Sequence, residues 1–386
     1  QCDWSSDVCS SDLFGFVSKA SDAVNSDGTG TSNYYRQTIF QKSKYVYATD
    51  PVNYATNSTH WDKPAAGYDF ATVSGNVEVA LNLGTDVSPN DGILANAYST
   101  FFANKDLVDI SLVLTGDASP TLQQEIIDNV VNARKDCVAF ISPPASTVIN
   151  NAGNETDSVS GIPGWLTTLA RQSSYVFADS GWKYQFDVYN NKYRWVPLNG
   201  DTAGLCVNTD NVRDPWFSPA GFNRGSVKNA VKLAWNPNQT QRDTIYAAGV
   251  NPVVSFPGQG IVLFGDKTLQ AKPSAFDRIN VRRLFIVLEK AISQAAKFSL
   301  FELNDEFTRA QFVALVNPYL RDIQGRRGIT DFKVVCDATN NTGQVIDSNQ
   351  FVGDIYIKPA RSINYIQLNF VAVGTGVNFQ TIVGGF

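Results

Sequence analysis

Histidine occurs once in this sequence, at His60, and methionine not at all. One imidazole cannot build a His-rich metal site. A Ser-His-Asp triad would have to recruit that same residue, which sits in a polar stretch beside Trp61, and no G-x-S-x-G elbow supplies a nucleophile. The five cysteines contain no C-x-x-C pair, which removes the common zinc and dithiol patterns. No G-x-G-x-x-G fingerprint follows a predicted strand, so no dinucleotide site is indicated. No apolar run approaches the roughly 18 residues of a membrane-spanning helix, and no signal-peptide pattern opens the chain. Charged residues make up only 17%, and the net charge of −5 is too mild to imply general attraction to nucleic acid or anionic lipid. These absences point to a soluble, cytoplasmically made protein with no catalytic, metal or cofactor motif.

What is present reads as globular. Hydrophobic residues reach 43%, and 386 residues suffice for two or three domains. Methionine is missing at position 1 too, so the chain reads as a fragment whose true start is absent. Residues 1–13, QCDWSSDVCSSDL, read as a non-native leader and carry Cys2 and Cys9. Cys137 and Cys336 lie in apolar strand-like runs and are expected as buried free thiols of a reducing compartment. Gly260 to Thr268 approaches a phosphate-binding loop. However, Asp266 stands where the motif needs lysine, and Lys267 comes one position late.

The periodicities predict an ordered series of elements. Residues 14–83 are rich in Gly, Ser, Asn and Tyr; YYRQTIF, KYVYAT and VSGNVEVALNL read as strands. From Ser88 the pattern changes to alternating helices and strands. Ser88 is the expected cap of a helix with Ile93, Leu94, Ala97, Tyr98, Phe101 and Phe102 on one face. A strand over 107–114, a helix opened by Ser119-Pro120, a strand over 137–141, a helix over 165–172 and a strand over 175–178 follow. Such alternation predicts a parallel sheet covered by helices. Residues 182–197 read as a hairpin turning at Asn190-Asn191, and 210–225 as an aromatic loop.

The longest periodic stretch is 276–304. Val281, Leu284, Phe285, Leu288, Ile292, Ala295 and Ala296 form one helical stripe, with Asn280 as expected cap and Arg282 and Arg283 mainly on the other side. A second helix follows, with a capping box from Thr308, a staple between Phe307 and Phe312, a kink at Pro318 and a stop at Gly325. Strands are expected over 332–336, 351–358 and 362–373.

Four blocks in this region, FDRINVRRL, FELN, VVCDATNN and PARSINYIQLNFVA, occur in order. They closely resemble the C-terminal domain of tail sheath proteins of contractile-tailed bacteriophages of the large myovirus type. The resemblance implies an α/β and α+β multidomain chain. A helix-covered, mainly parallel sheet would form the middle domain, and two helices on a small sheet the C-terminal domain. The expected divisions are a leader at 1–13, the remnant of a protruding outer domain at 14–87, a middle domain at 88–240, an inner domain at 241–373 and an arm at 374–386.

The resemblance also implies a structural, non-enzymatic role without cofactor. Such subunits form stacked hexameric rings around a tail tube, with baseplate and tail terminator as further partners, and contract to drive the tube through the host envelope. The subunit would belong to the virion; no nucleic acid or membrane partner is expected. Terminal arms in this family add strands to a neighbour's sheet. Phe379, Ile382, Val383 and Phe386 are the expected arm contacts, after a Gly-rich hinge at Gly374. Arg282, Arg283, Arg326 and Arg327 are the expected tube or inter-subunit contacts. Competing expectations are the sheath of a phage-derived injection device, an α/β enzyme using the strands' carboxyl ends, and a ligand-binding module at the Trp216 loop.

Overall fold

The computed structural model describes residues 18–24, 30–42, 60–67 and 89–364. The chain divides into two compact units, 1–88 and 89–386. In the first unit, YYRQTIF is not the expected strand but lies in helix α1 (Tyr35–Lys42). A short run of aromatic and β-branched residues cannot be assigned by period alone; contacts decide it. The Tyr34 hydroxyl donates to Asp62 at 2.6 Å, Tyr35 packs edge-on against Trp61, and Thr38 is buried one turn on. The expected strands at 44–49 and 73–83 lie outside the described residues.

The second unit is built on a four-stranded parallel sheet. Its strands are β1 (Leu112–Leu114), β2 (Val138–Ile141), β3 (Val176–Asp179) and β7 (Val250–Asn251), in the order β1-β2-β3-β7. Successive side chains of a strand point to opposite faces, and a parallel sheet is covered on both. Ala139 and Ile141 face one core with Leu122, Ile126, Val130 and Trp165, while Val138 and Phe140 face another with Phe177, Cys206, Ile279 and Ile286.

Helix α2 (Asp91–Phe102) and helix α3 (Pro120–Ile126) cover the first face. The cap of α2 is Asn90, not Ser88, because the Asn90 carboxamide reaches the Ile93 N–H at 2.9 Å. Ser119 caps α3 as expected. That helix runs on through a π segment, Ile127–Val131, and its inner residues Leu122, Ile126, Val130 and Val131 are buried. Strand β1 is shorter than predicted, since Asn104 folds the preceding stretch into a turn at Asp106. Helix α4 (Ile162–Leu169) completes this layer.

The hairpin of β4 (Trp182–Asp187) and β5 (Lys192–Pro197) turns through Asn190-Asn191 as predicted, and β6 (Lys232–Leu233) adds a third strand to it. Helix α5 (Asn199–Val212) was not legible in the sequence: its run of Asn, Gly, Asp and Thr has no apolar period. Tertiary contacts hold it. Ala203, Leu205 and Cys206 enter the second core, and Ser142 Oγ accepts from the Asn199 N–H.

After α6 (Gln239–Ala247) the chain supplies β7, then the hairpin β8 (Val253–Phe256) and β9 (Gly260–Leu263). Within this stretch Val250 and Asn251 join the middle sheet and Leu269 packs in the core beneath it, while β8 and β9 form a separate pair.

Helix α7 (Ile279–Ala296) packs into two cores of the second unit. Ile279 and Ile286 enter the sheet's second core; Leu284 and Leu288 enter the C-terminal core. Its start is Arg278, not Asn280, which lies within the first turn; the Ile279 N–H donates to the Asp266 carbonyl. Helix α8 (Glu306–Gly325) packs on the same C-terminal core. Asp305 caps it through the Thr308 N–H at 2.8 Å, so the start precedes the predicted capping box, and Phe307 is exposed rather than stapled. Strands β10 (Ile329–Val335) and β11 (Asp354–Pro359) form an antiparallel pair. Of the predicted strand at 362–373, only 362–364 is described, and it is not in a strand.

The carboxyl ends of the parallel strands gather a buried polar cluster. Asp179 accepts from Ser142 Oγ and the Gly181 N–H, and burial pushes its carboxyl up from 3.8 to about 8. A raised folded-state value makes protonation favour the fold. That contribution is complete below about pH 4 and is lost as the pH climbs to about 8. Asp179→Asn is expected to flatten the dependence of the thermal midpoint between pH 5 and 8 and to raise the midpoint at pH 8. An unchanged slope in a melting series would contradict the assignment.

Candidate assembly surface

The C-terminal body presents a small sheet backed by two helices. Phe332 and Val334 of β10 lie opposite Ile357 and Ile355 of β11, and all four pack into the core with Phe312, Val316 and Leu320. The alternate pairs, Lys333 with Tyr356 and Asp331 with Lys358, form the outer face. Among the described residues this sheet has two strands, so each outer edge carries ladder groups without a strand partner.

The link between these strands is set by the DATNN block. Asn341 is buried, and its carboxamide imitates a ladder step: Nδ2 donates to the Val352 carbonyl at 2.8 Å and Oδ1 accepts from the Val352 N–H at 2.9 Å. Asn340 Nδ2 donates to the Val335 carbonyl and to Asp354. The hairpin is thereby clamped at the end opposite the chain's exit at 360–364.

Beside this sheet opens a cleft of about 1260 Å³, lined by the 216–224 loop, α6, the end of α8 and residues 360–364. Asp266 is buried on its wall and gathers Ser218, Tyr246, Arg278, Ser362 and Asn364 around one carboxylate. Gly265 precedes it because a Cβ there would meet Asn251 Oδ1 at 2.8 Å. The near-match to a phosphate loop is therefore a structural hub: an acid surrounded by donors, with Lys267 Nζ donating to the Tyr246 carbonyl.

The four arginines read from the sequence separate into two pairs. Arg282 and Arg283 are buried, so they do not form the outer stripe expected of α7. The Arg282 guanidinium lies 3.8 Å from the Phe276 ring centre and 4.1 Å from that of Tyr175, and donates to Ser174 Oγ. Burial lowers its pKa. Arg283 pairs with Asp210 of α5. The first half of α7 has no solvent face because the sheet lies against one side and the C-terminal core against the other. Arg326 and Arg327 are exposed. Arg326 pairs with Asp214 and stacks over Trp216; Arg327, in a left-handed conformation with φ 67°, lines the cleft. Phe379, Ile382, Val383 and Phe386 lie outside the described residues.

Cys137, Cys206 and Cys336 are free and buried; burial pushes the Cys137 thiol up to about 12 and the Cys206 thiol to about 11, leaving both unreactive. Among the described residues no group of three or more His, Cys, Asp or Glu could hold a metal ion, and no helix is long and apolar enough to cross a membrane. The apolar connector between α7 and α8 is not among the contact residues expected from the sequence. Its signal was there: FSLFELNDEF carries five large apolar residues where a helix connection should be polar.

Comparison with known proteins gives two family matches. Residues 95–269 match the phage tail sheath protein central domain and 271–372 the phage tail sheath C-terminal domain. The tail sheath protein of Vibrio phage KVP40 is 50% identical over 301 residues, covering 73% of this chain and 45% of that protein. That of Enterobacteria phage T4 is 41% identical over 370 residues, covering 92% and 53%. The chain spans about half the length of these curated relatives. Among solved structures, a chain of the anti-feeding prophage baseplate superposes with TM-score 0.59 at 16% identity, covering 88% of this chain and 86% of that one. A chain of the contracted anti-feeding prophage helical sheath gives TM-score 0.59 at 18% identity, covering 74% and 76%. At such identities the likeness is one of fold.

The Asn341 clamp can be checked by denaturation. Asn341→Ala leaves the Val352 N–H and carbonyl unpaired and is expected to cost about 1–3 kcal/mol. Urea unfolding followed by tryptophan fluorescence reads it; a loss below about 0.5 kcal/mol would remove Asn341 from this role.

Proposed function

The chain belongs to the phage tail sheath family, and we propose on that premise that it is a structural subunit of a contractile phage tail. It polymerises around the tail tube and contracts to drive the tube through the host envelope for genome ejection. The observation that carries this reading is the ordered match of two sheath domains, supported by phage sheath relatives up to 50% identical. We read the role as mechanical rather than catalytic, and the subunit as a virion component. Its partners are further copies of itself in stacked hexameric rings, the tail tube, the baseplate and the tail terminator. We set the division between central and inner domains near residue 270, where the family matches meet and where β7 has already closed the middle sheet.

Two requirements define how such a subunit works. Copies must stay joined while they slide, and they must gain contact on contraction. The edges of the β10–β11 sheet, which have no strand partner among the described residues, suit the first: a strand added there is held by backbone hydrogen bonds, which tolerate rotation of rigid bodies. We propose that Phe379, Ile382, Val383 and Phe386 belong to such an arm. For the second, an extra ~100 Å² of apolar burial per subunit supplies about 2.5 kcal/mol, and many copies multiply it. The extended state is then held by a barrier rather than by equilibrium.

A phage-derived injection device is the second reading, favoured by the shared fold with anti-feeding prophage chains.

Electron microscopy of the purified protein at full length is expected to show tubular polymers; monodisperse particles at every concentration would sink the sheath reading. Removing 379–386 is expected to abolish polymers while leaving the thermal midpoint within about 2 °C, and normal tubes from the shortened chain would refute the arm assignment.

A further inference from the structure

The connector between α7 and α8 carries Phe298, Leu300, Phe301 and Leu303, and Phe307 follows in the first turn of α8; each is between 63% and 105% exposed. Together they present on the order of 700 Å² of apolar surface, at roughly 200 Å² for each fully exposed aromatic side chain. A single copy rarely leaves so much apolar surface in water, and it approaches the ~800 Å² that each partner of a stable interface buries. The same stretch is acidic, with Glu302 and Asp305 of the connector and Glu306 at the start of α8 exposed beside the apolar set.

The cleft has the opposite character. Trp216, Phe217 and Phe264 line it together with Arg224, Arg242, Arg327 and Arg361. Of the two acids on its wall, Asp266 is already surrounded by donors, which leaves Asp243. Asn280 also lines the cleft. It is 4% exposed, and its Oδ1 is buried without a partner among the described residues, so the wall holds an acceptor awaiting a donor.

Connector and cleft sit at opposite ends of one rigid layer. The cleft receives the start of α7 at Asn280 and the end of α8 at Gln324 and Arg327. The connector joins the end of α7 to the start of α8. With 18 and 20 residues, the helices hold the two features about 27–30 Å apart. One copy therefore cannot satisfy its own cleft with its own connector, whereas a head-to-tail neighbour can.

We propose that the apolar, acidic connector of one copy seats in the aromatic, arginine-lined cleft of the next. Such a contact uses two different surfaces, so it propagates copies along a line or helix rather than closing a pair. It rests on the reading of this chain as a self-assembling sheath subunit and assigns one of its interfaces.

Complementation tests it. Phe301→Asp with Leu303→Asp spoils the connector and leaves the cleft; Arg327→Glu with Arg361→Glu does the reverse. All four positions lie at the surface or its margin, so circular dichroism and thermal midpoints are expected to stay unchanged. In sedimentation of the full chain, each double variant is expected to weaken self-association at least about tenfold. An equimolar mixture is expected to restore dimers only, since one sound connector then meets one sound cleft. Photoreactive p-benzoylphenylalanine placed at position 301 is expected to cross-link to 216–224 or 324–330 of an isotopically heavy copy. Polymers unaffected by both variants would overturn the proposal while leaving the sheath reading intact. A full chain that stays monomeric, or cross-links confined to residues 365–386 of the same copy or to a different protein, would overturn it as well. The sheath reading itself is decided by the micrographs of the full-length protein.

Discussion

Helix α7 belongs to two cores at once. Ile279 and Ile286 press against the underside of the parallel sheet, while Leu284 and Leu288, on the opposite side of the same helix, press into the layer formed with α8 and the β10–β11 sheet. A helix buried on two sides cannot slide against one body without disturbing the other. The central and C-terminal parts of the second unit are in this way joined by packing as well as by a peptide chain. That is the constraint the rest of the second unit depends on.

The same double burial explains where the charges went. Arg282 and Arg283 sit in the half of α7 that has no solvent face, and each has a specific answer to desolvation. Arg282 lies between two aromatic rings with a hydroxyl to bind, and Arg283 pairs with Asp210 of α5. Removing one partner of such a pair strands the other charge in a poorly solvated place, so these arginines fix register between layers. Further out, Lys290 ties α7 to the entry of β1 through Asp109 and the Ile110 carbonyl. Asp266 plays a related part at the helix start. It binds Arg278 just before α7 and Ser362 and Asn364 just after β11, which fixes where the chain leaves the small sheet.

Under the proposed sheath role, the directed exit, the sheet edges left without a strand partner among the described residues and the surfaces at the two ends of the α7–α8 layer are what a sliding polymer would use. Strand pairing supplies continuity that survives rotation, because its hydrogen bonds follow the backbone and not the side chains. Contacts between a connector and a cleft supply side-chain recognition and can be remade at a new angle. In that proposal the persistent bonds lie on the small sheet and the changeable ones at the ends of the α7–α8 layer.

Much of this fold was legible in the order of residues. Leu122, Ile126, Val130 and Val131 declared the inner face of α3, Asn190-Asn191 the turn of the hairpin, and the apolar runs at 137–141 and 175–178 the parallel strands, because period and turn chemistry are local properties. The four blocks from 276 to 372 likewise carried the family. What covers each face is not local, and only the tertiary structure decided it. It made a helix of the aperiodic 199–212, turned the predicted strand at 34–40 into α1 against Trp61 and Asp62, and drew 250–251 into the middle sheet. It also took Arg282 and Arg283 inside and left Phe298 to Phe307 outside. A side chain's periodicity says which residues share a face; the free energy of burying that face is set by the layer that arrives from elsewhere in the chain.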